Sequence, residues 1–367
     1  MKRLLQLSWR CLVIGFIVSG CAHTPSREAL LPEAEVEGRV AQLMSQMTLE
    51  EKCDYLGGKR PAQLDIRAIE RLGVPAIRMS DGPMGVRSWG PSTSYPGGIG
   101  LAATWNPGLA GEFGVAMGRD CRARGVHILL APGMNIHRSP LCGRNFEYLG
   151  EDPYLASRMA VEMIRRLQEQ GVLATVKHFA CNNQEYDRNR VSSNVDERTL
   201  REIYLPAFRA SIVEGRAACV MNAYNLLNGQ HCTENNHLNN DILKGEWGFD
   251  GILMSDWVST YDTVRAANGG LDLEMPWGDH LNSEKLIPAI ERGEVSVQTI
   301  DDKVRRILGT IIRYGFLDRL QKREDIPLDD PRNAQVALRM ARESIVLLKN
   351  QKDLLPLDAG TDRKSVV

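Results

Sequence analysis

The sequence predicts an α/β fold of the TIM-like (β/α)8 type, a parallel sheet closed into a barrel and wrapped by helices. Three observations predict it. Short apolar runs alternate with amphipathic stretches at intervals of roughly forty residues, the rhythm of strand–helix units in a parallel sheet. Runs such as Val126–Ala131 and Val172–Val176 are apolar at almost every position, as strands covered on both faces must be. Several runs also end in charged or polar residues, and the carboxyl ends of such strands open into the crevice where ligands bind. An open, doubly wound sheet is the alternative. Its nucleotide-binding version is disfavoured, because no phosphate-cradling glycine loop stands between a strand and a helix.

Composition sets the outer bounds. The chain has 367 residues, 43% hydrophobic and 25% charged, ordinary for one large globular domain or two smaller ones. A formal net charge of -1 gives no reason to expect nucleic acid or another polyanion as partner. Residues 1–21 read as an export signal: Lys2, Arg3 and Arg10 precede the apolar run Cys11–Val18, and Ser19-Gly20-Cys21 follows. The run is too short to span a bilayer. Small residues before a cysteine resemble a bacterial lipoprotein cleavage box, with Cys21 as the lipidated residue; a plain cleaved signal is the alternative. Ala22 beside that cysteine, where an Asp would retain the protein, favours a periplasmic protein on the outer membrane. Residues 22–35 read as a polar tether, 36–325 as the barrel domain, and 326–367 as a linker and the opening of a second domain.

Within the barrel region the elements follow in order. Val36, Val40, Leu43 and Met47 lie on one face of a first helix, and Thr48-Leu-Glu-Glu51 has the form of a capping box that starts a second. Leu72–Met79 reads as a strand that runs into a tight loop presenting Asp81. A helix over Pro107–Arg124 leads to the strand Val126–Ala131 and then a long polar loop, 132–147, that contains Arg144. After a helix over Tyr154–Glu169, the strand Val172–Phe179 carries Lys177 and His178 at its end, and Glu185 and Arg188 follow in a polar loop. A helix over Asp196–Glu214 precedes the strand through Met221 to Asn222 and Tyr224. A short helix, Asn239–Lys244, leads to the strand at Gly251, which ends in Asp256 and Trp257. Asn268–Pro276 reads as a last strand, and 286–317 as helix. The tail from Ala334 reads as a helix followed by the apolar run Ser344–Leu348, and Lys364–Val367 look like the start of another strand. A second domain missing beyond the C-terminus is therefore expected.

The residues Asp81, Arg144, Lys177, His178, Arg188, Tyr224, Asp256 and Trp257 would all cluster at strand ends. A pyranose offers vicinal hydroxyls that carboxylates, guanidinium and ammonium groups bind by charge-assisted hydrogen bonds, while an indole stacks on its apolar face. Phosphate would be repelled by the two Asp, and a metal site would need clustered acceptors without intervening cations. The remaining cysteines show no metal-type spacing, and no cofactor is indicated. In an exported protein Cys142 and Cys181, expected on neighbouring strand ends, are the pair open to oxidation; buried free thiols are the ordinary alternative.

Five motifs occur together in one order: Ser80-Asp-Gly-Pro-Met-Gly85, Gly143-Arg-Asn-Phe-Glu147 with Gly150-Glu-Asp-Pro153, Lys177-His-Phe179, Met221-Asn-Ala-Tyr224 and Met254-Ser-Asp-Trp257. From about Val36 onward the chain resembles the N-terminal barrel domain of family 3 glycoside hydrolases, in the β-glucosidase group. The resemblance implies that Asp256 is the nucleophile of a retaining exo-acting enzyme, forming a covalent glycosyl-Asp256 intermediate. It implies that Asp81, Arg144, Lys177, His178 and Arg188 bind the glycone hydroxyls and that Met221 lines the pocket. Tyr224 would sit beside the nucleophile, and Trp257 would wall the leaving-group subsite. In that family the general acid is a glutamate of the following α/β sandwich domain. Within this chain Glu185 and Glu274 are the nearest substitutes, but Glu185 sits in a loop and Glu274 is expected to brace the last strand. Ala180-Cys-Asn-Asn-Gln-Glu185 replaces the Pro-Gly-rich, His-containing loop of the N-acetylglucosaminidase branch, which disfavours that activity. The expected substrates are β-linked glucosides. A β-xylosidase or related exo-glycosidase is the alternative, as is a sugar-binding or degenerate lipoprotein if the chain ends at Val367.

Overall fold

A computed structural model describes residues 30–357. The signal, the Cys21 box, most of the tether and Lys364–Val367 lie outside the described residues. Helix α1 (Glu33–Gln46) buries Val36, Val40 and Met44, and α2 (Leu49–Tyr55) begins with the capping box, Thr48 and Glu51 satisfying each other's backbone N–H groups. Then come β1 (Asp65–Ile66), β2 (Ile77–Asp81), α3 (Gly98–Ala103), α4 (Pro107–Arg124), β3 (Ile128–Leu130), α5 (Pro153–Gln168) and β4 (Leu173–Phe179). Next are β5 (Ser192–Ser193), α6 (Glu197–Thr199), α7 (Pro206–Val213), β6 (Cys219–Asn222), β7 (Leu226–Leu227), β8 (Gln230–His231) and β9 (Ile252–Met254). Helices α8 (Thr263–Asn268), α9 (Ser283–Glu291), α10 (Val297–Arg313) and α11 (Pro331–Glu343) complete the order.

The main sheet runs β1-β2-β3-β4-β6-β9. Its β1–β2 pair is antiparallel and the other four pairings are parallel. Side chains alternate between two cores. Leu129, Ala174, Val176, Val220 and Leu253 face a cluster shared with α4, α5 and α7. Ile128, Leu130, Leu173, Cys219, Met221, Ile252 and Met254 face the other, which α1, α2, α9 and α10 also fill. Each such buried aliphatic side chain contributes about 1.5–3 kcal/mol of transfer free energy, so a strand slipped by one residue would exchange its two faces and mispack both.

Several elements differ from the sequence reading, each for a physical reason. The helix expected over Asp196–Glu214 is divided into α6, a π-helical turn Leu200–Tyr204 and α7. Pro206 stands at the break, where its missing N–H and its ring prevent a continuous ladder. The helix expected at Asn239–Lys244 is a longer π-helical stretch, His237–Glu246. The strand expected over Asn268–Pro276 is reduced to single parallel bridges, Met254 with Leu273 and Gly57 with Glu274. These bridges carry the sheet beyond β9 and back to the end of α2, so the sheet curls. The two segments meet closely enough that a Cβ at Gly58 would collide with the Pro276 carbonyl.

The stretch from 326 does more than link. Arg119 pairs with Asp330, Asn333 is buried against the Ala116 carbonyl, and Met340 is fully buried in the α4/α5 core. Helix α11 is thereby docked on α4. Beyond it Ser344–Leu348 forms no strand, and Ile345, Val346, Leu347 and Leu348 are exposed. Cys142 and Cys181 are separate buried free thiols, as are Cys53, Cys121, Cys219 and Cys232.

Candidate active site

Asp81 is the last residue of β2, where the pleat turns its side chain toward the end of β4. There Lys177 Nζ donates to Asp81 Oδ1 at 2.7 Å, and Arg87 donates to Oδ2 at 3.1 Å. Burial opposes ionisation of Asp81, but the Lys177 ammonium and the Arg87 guanidinium outweigh it and hold the carboxyl below its usual range.

His178 follows on the same strand and is almost wholly buried. Asn135, from the loop after β3, brackets its backbone: the side-chain oxygen accepts from His178 N at 2.8 Å, and the amide donates to His178 O at 2.9 Å. The peptide bonds Lys177-His178 and Phe179-Ala180 are both cis. On the ring, Arg144 Nη2 lies 2.8 Å from Nε2 and the Tyr148 hydroxyl 3.2 Å from Nδ1. Burial first, then the nearby cations Arg144, Lys177 and Arg188, push the imidazole well below its ordinary value, so it is neutral. Arg144 is itself anchored through Nε to Glu147, three residues on.

Asp256 sits two residues past β9, buried, with Trp257 N donating to Oδ1 at 2.7 Å. Oδ2 lies 3.5 Å from His178 Nε2 and has no partner in good hydrogen-bond geometry among the described residues, although the Tyr224 hydroxyl is near enough to the carboxyl to stabilise its charge. Burial raises its carboxyl above the usual range, opposed by Arg144, the Trp257 N–H, Lys177 and the Tyr224 hydroxyl. Tyr224, just past β6, is covered by the Arg188 guanidinium, 4.0 Å from the ring centre. Arg188 in turn donates to Glu185 at 2.6 Å.

The structure therefore brings Asp81, Arg144, Lys177, His178, Arg188, Tyr224 and Asp256 into one chain of contacts at the strand ends. Trp257 is half-buried, its backbone on Asp256 and its ring against the α1/α10 core. Met221 is buried in β6, in register with Met254. Sequence reasoning missed Asn135, Glu147 and Tyr148 as individual contributors. All three lie in or beside the polar loop after β3, whose richness in hydrogen-bonding groups was the available signal. It also missed Tyr261, which stacks on His231 at 3.8 Å and lies within the electrostatic reach of Asp256 and Arg188.

Glu185 and Glu274 are both occupied. Glu185 takes the Arg188 guanidinium and the Asn182 amide, while Glu274 Oε2 accepts from His280 N at 2.8 Å and Leu281 N at 2.6 Å. Burial pushes the Glu274 carboxyl up to about 7, yet its hydrogen bonds staple a turn. Among the described residues no group of three or more His, Cys, Asp or Glu side chains is placed to hold a metal ion. None of their helices is long and apolar enough to cross a membrane.

Comparison with known proteins bears on this constellation. Residues 34–310 match the glycosyl hydrolase family 3 N-terminal domain. The chain is 44% identical over 333 residues to the thermostable beta-glucosidase B of Acetivibrio thermocellus, covering 87% of this chain and 43% of that protein. It is likewise 44% identical over 326 residues to a beta-glucosidase of Rhizobium radiobacter, covering 87% of this chain and 39% of that protein. The structure of beta-glucosidase 3B from Thermotoga neapolitana in complex with alpha-D-glucose superposes with a TM-score of 0.81 at 38% identity, over 87% of this chain and 48% of that one. The chain thus spans less than half the length of these relatives. Over three quarters of its length, strand-end site included, it belongs to glycosyl hydrolase family 3.

Proposed function

We propose that this chain is the glycone-binding part of a retaining exo-β-glucosidase, with Asp256 as nucleophile. One observation carries the reading: Asp256 is buried at a strand end with Oδ1 held by a backbone N–H and Oδ2 bare, inside a ring of Arg144, Lys177, His178 and Tyr224. A carboxylate so placed is oriented without being quenched. Oδ2 attacks the anomeric carbon of a β-glucoside as the bond to the leaving oxygen breaks with its electron pair, giving the glycosyl-Asp256 ester that water then hydrolyses. Asp81, Lys177, Arg144, His178 and Arg188 bind the glycone hydroxyls, Met221 backs the pocket, and Trp257 borders the leaving-group side. The long relatives named beta-glucosidase support glucose as the sugar.

The proton for the leaving oxygen comes from a carboxyl about 5 to 5.5 Å from the nucleophile in a retaining enzyme. Glu185 and Glu274 are committed elsewhere, so we assign that proton to a glutamate of an α/β sandwich domain packed on the barrel. The curled sheet is read as the wall of a (β/α)8 barrel. The protein is read as exported, held at the outer membrane by lipid on Cys21.

A 2,4-dinitrophenyl 2-deoxy-2-fluoro-β-glucoside tests the central claim, because its leaving group departs without a proton. A covalent adduct on Asp256 by peptide mapping is the expected result. An adduct on any other residue, or none, refutes the assignment. A second reading, sugar binding without useful turnover, is favoured by the committed state of Glu185 and Glu274. Losing general acid catalysis costs about 10²- to 10⁴-fold. Measurable cleavage of the dinitrophenyl glucoside with negligible cleavage of cellobiose would match it.

A further inference from the structure

We infer that Tyr148 and Arg144 together fix His178 as the neutral tautomer protonated at Nδ1, and that this keeps Asp256 Oδ2 free of a hydrogen bond from the imidazole. The argument rests on the donor inventory. A guanidinium has N–H donors and no acceptor. Arg144 Nη2 lies 2.8 Å from His178 Nε2, so Nε2 must present its lone pair there. The ring is neutral in its buried, cation-lined surroundings, so its one proton is on Nδ1. Nδ1 then donates to the Tyr148 oxygen at 3.2 Å.

The opposite tautomer would place an N–H against the Arg144 N–H, and would have to donate to Asp256 Oδ2 across 3.5 Å, beyond the ordinary range for such a bond. The unpartnered state of Oδ2 agrees with the first arrangement. Asn135 adds to it, since its two hydrogen bonds to the His178 backbone fix the main chain that carries the ring. Tyr148 touches no substrate in this arrangement. It is a positioning residue: it accepts the Nδ1 proton, and so decides that the face of the imidazole turned to the nucleophile carries no donor. A hydrogen bond from Nε2 to Oδ2 would lower the nucleophilicity of the carboxylate; its absence leaves that oxygen for the anomeric carbon.

This inference rests on the reading of Asp256 as nucleophile, and the test separates the two. Long-range ¹H–¹⁵N correlation spectra of the full chain labelled at histidine nitrogen distinguish the tautomers, with the His178 signals identified by their loss in His178→Gln. The expected pattern is protonated Nδ1 with unprotonated Nε2. A protonated Nε2, or an imidazolium at neutral pH, overturns the inference even if the fluoro-glucoside labels Asp256. The expected pattern without any adduct would instead refute the nucleophile and leave the tautomer standing. In Tyr148→Phe, folded by near-ultraviolet circular dichroism, the buried Nδ1–H loses its acceptor. The His178 pattern should then move toward an average of the two tautomers, and adduct formation should slow about tenfold, the worth of one hydrogen bond near 1.4 kcal/mol. An unchanged His178 pattern in that variant would remove Tyr148 from the argument.

Discussion

Lys177→Met isolates the charge on which glycone binding depends in the proposed site. The ammonium is nearly buried, sits 2.7 Å from Asp81 Oδ1, and has two further N–H donors for a sugar hydroxyl. Methionine keeps much of the stem's volume and removes the charge. One hydrogen bond between a charged group and a sugar hydroxyl contributes about 1.5–3 kcal/mol, so glucose should bind roughly 10- to 150-fold more weakly. Stability should change little, because Asp81 is partly exposed and retains Arg87. A second signature follows from Asp81. In the parent its carboxyl is held below the usual range, so it is ionised from pH 5 to 8 and affinity is flat there. Without Lys177 the carboxyl of Asp81 loses the two largest contributions that hold it down and moves up. Loss of affinity with falling pH should therefore set in at a higher pH in the variant than in the parent. Tryptophan fluorescence titration with glucose at three pH values measures both effects. Affinity within threefold of the parent, with no pH dependence, would refute the pairing argument.

Two other outcomes are expected. Lys303, buried on α10 beside Lys244, has its ammonium pushed down to about 7 by burial and by that neighbour, so the folded chain binds fewer protons there than the unfolded chain between about 7 and 10.5. Stability from this group thus rises with pH across that window, and Lys303→Met should stabilise the protein by about 1–4 kcal/mol at pH 6 and little at pH 10, read from urea unfolding; destabilisation at both pH values would contradict the sign. Met340→Ala should cost about 2–5 kcal/mol in the same assay, since Met340 is fully buried in the core under α11; a loss below 0.5 kcal/mol would mean that α11 is not part of the folded unit.

What the sequence made legible was a matter of range. Apolar runs report their own burial, so β2, β3, β4, β6 and β9 could be found, and with them the strand-end residues Asp81, Lys177, His178 and Asp256. Helix α4 could be bounded because Asn106 caps one end and Gly125 adopts the left-handed conformation at the other, both local signals. The strands β5, β7 and β8 have two residues each, too few to show any period. They form a separate small sheet beside Arg188 and Tyr224, held by pairings that only the folded chain supplies. Tyr148 illustrates the same limit. Its neighbours Glu147 and Gly150 belong to a recognisable motif, but a buried tyrosine reads as core until its hydroxyl is found on a histidine thirty residues away. Residues that touch a ligand are announced by their chemistry at a strand end, while residues that orient them are ordinary side chains in uncommon company.

That distinction bears on how Asp256 differs from its charged neighbours. Each cation around it already has an anionic partner: Lys177 has Asp81, Arg144 has Glu147, and Arg188 has Glu185. These pairs fix the cations in place, so their field at Asp256 does not depend on direct contact with it. A structural ion pair would close on the carboxylate and satisfy both oxygens, since a buried unpaired polar atom costs about 1–3 kcal/mol. Here one oxygen accepts no hydrogen bond from the imidazole beside it, whose nearest nitrogen is 3.5 Å away with its lone pair directed to Arg144. Fold stability gains nothing from that arrangement. A group that must reach a carbon atom gains from it directly, because an oxygen without a donor keeps its lone pairs for the bond it is to make.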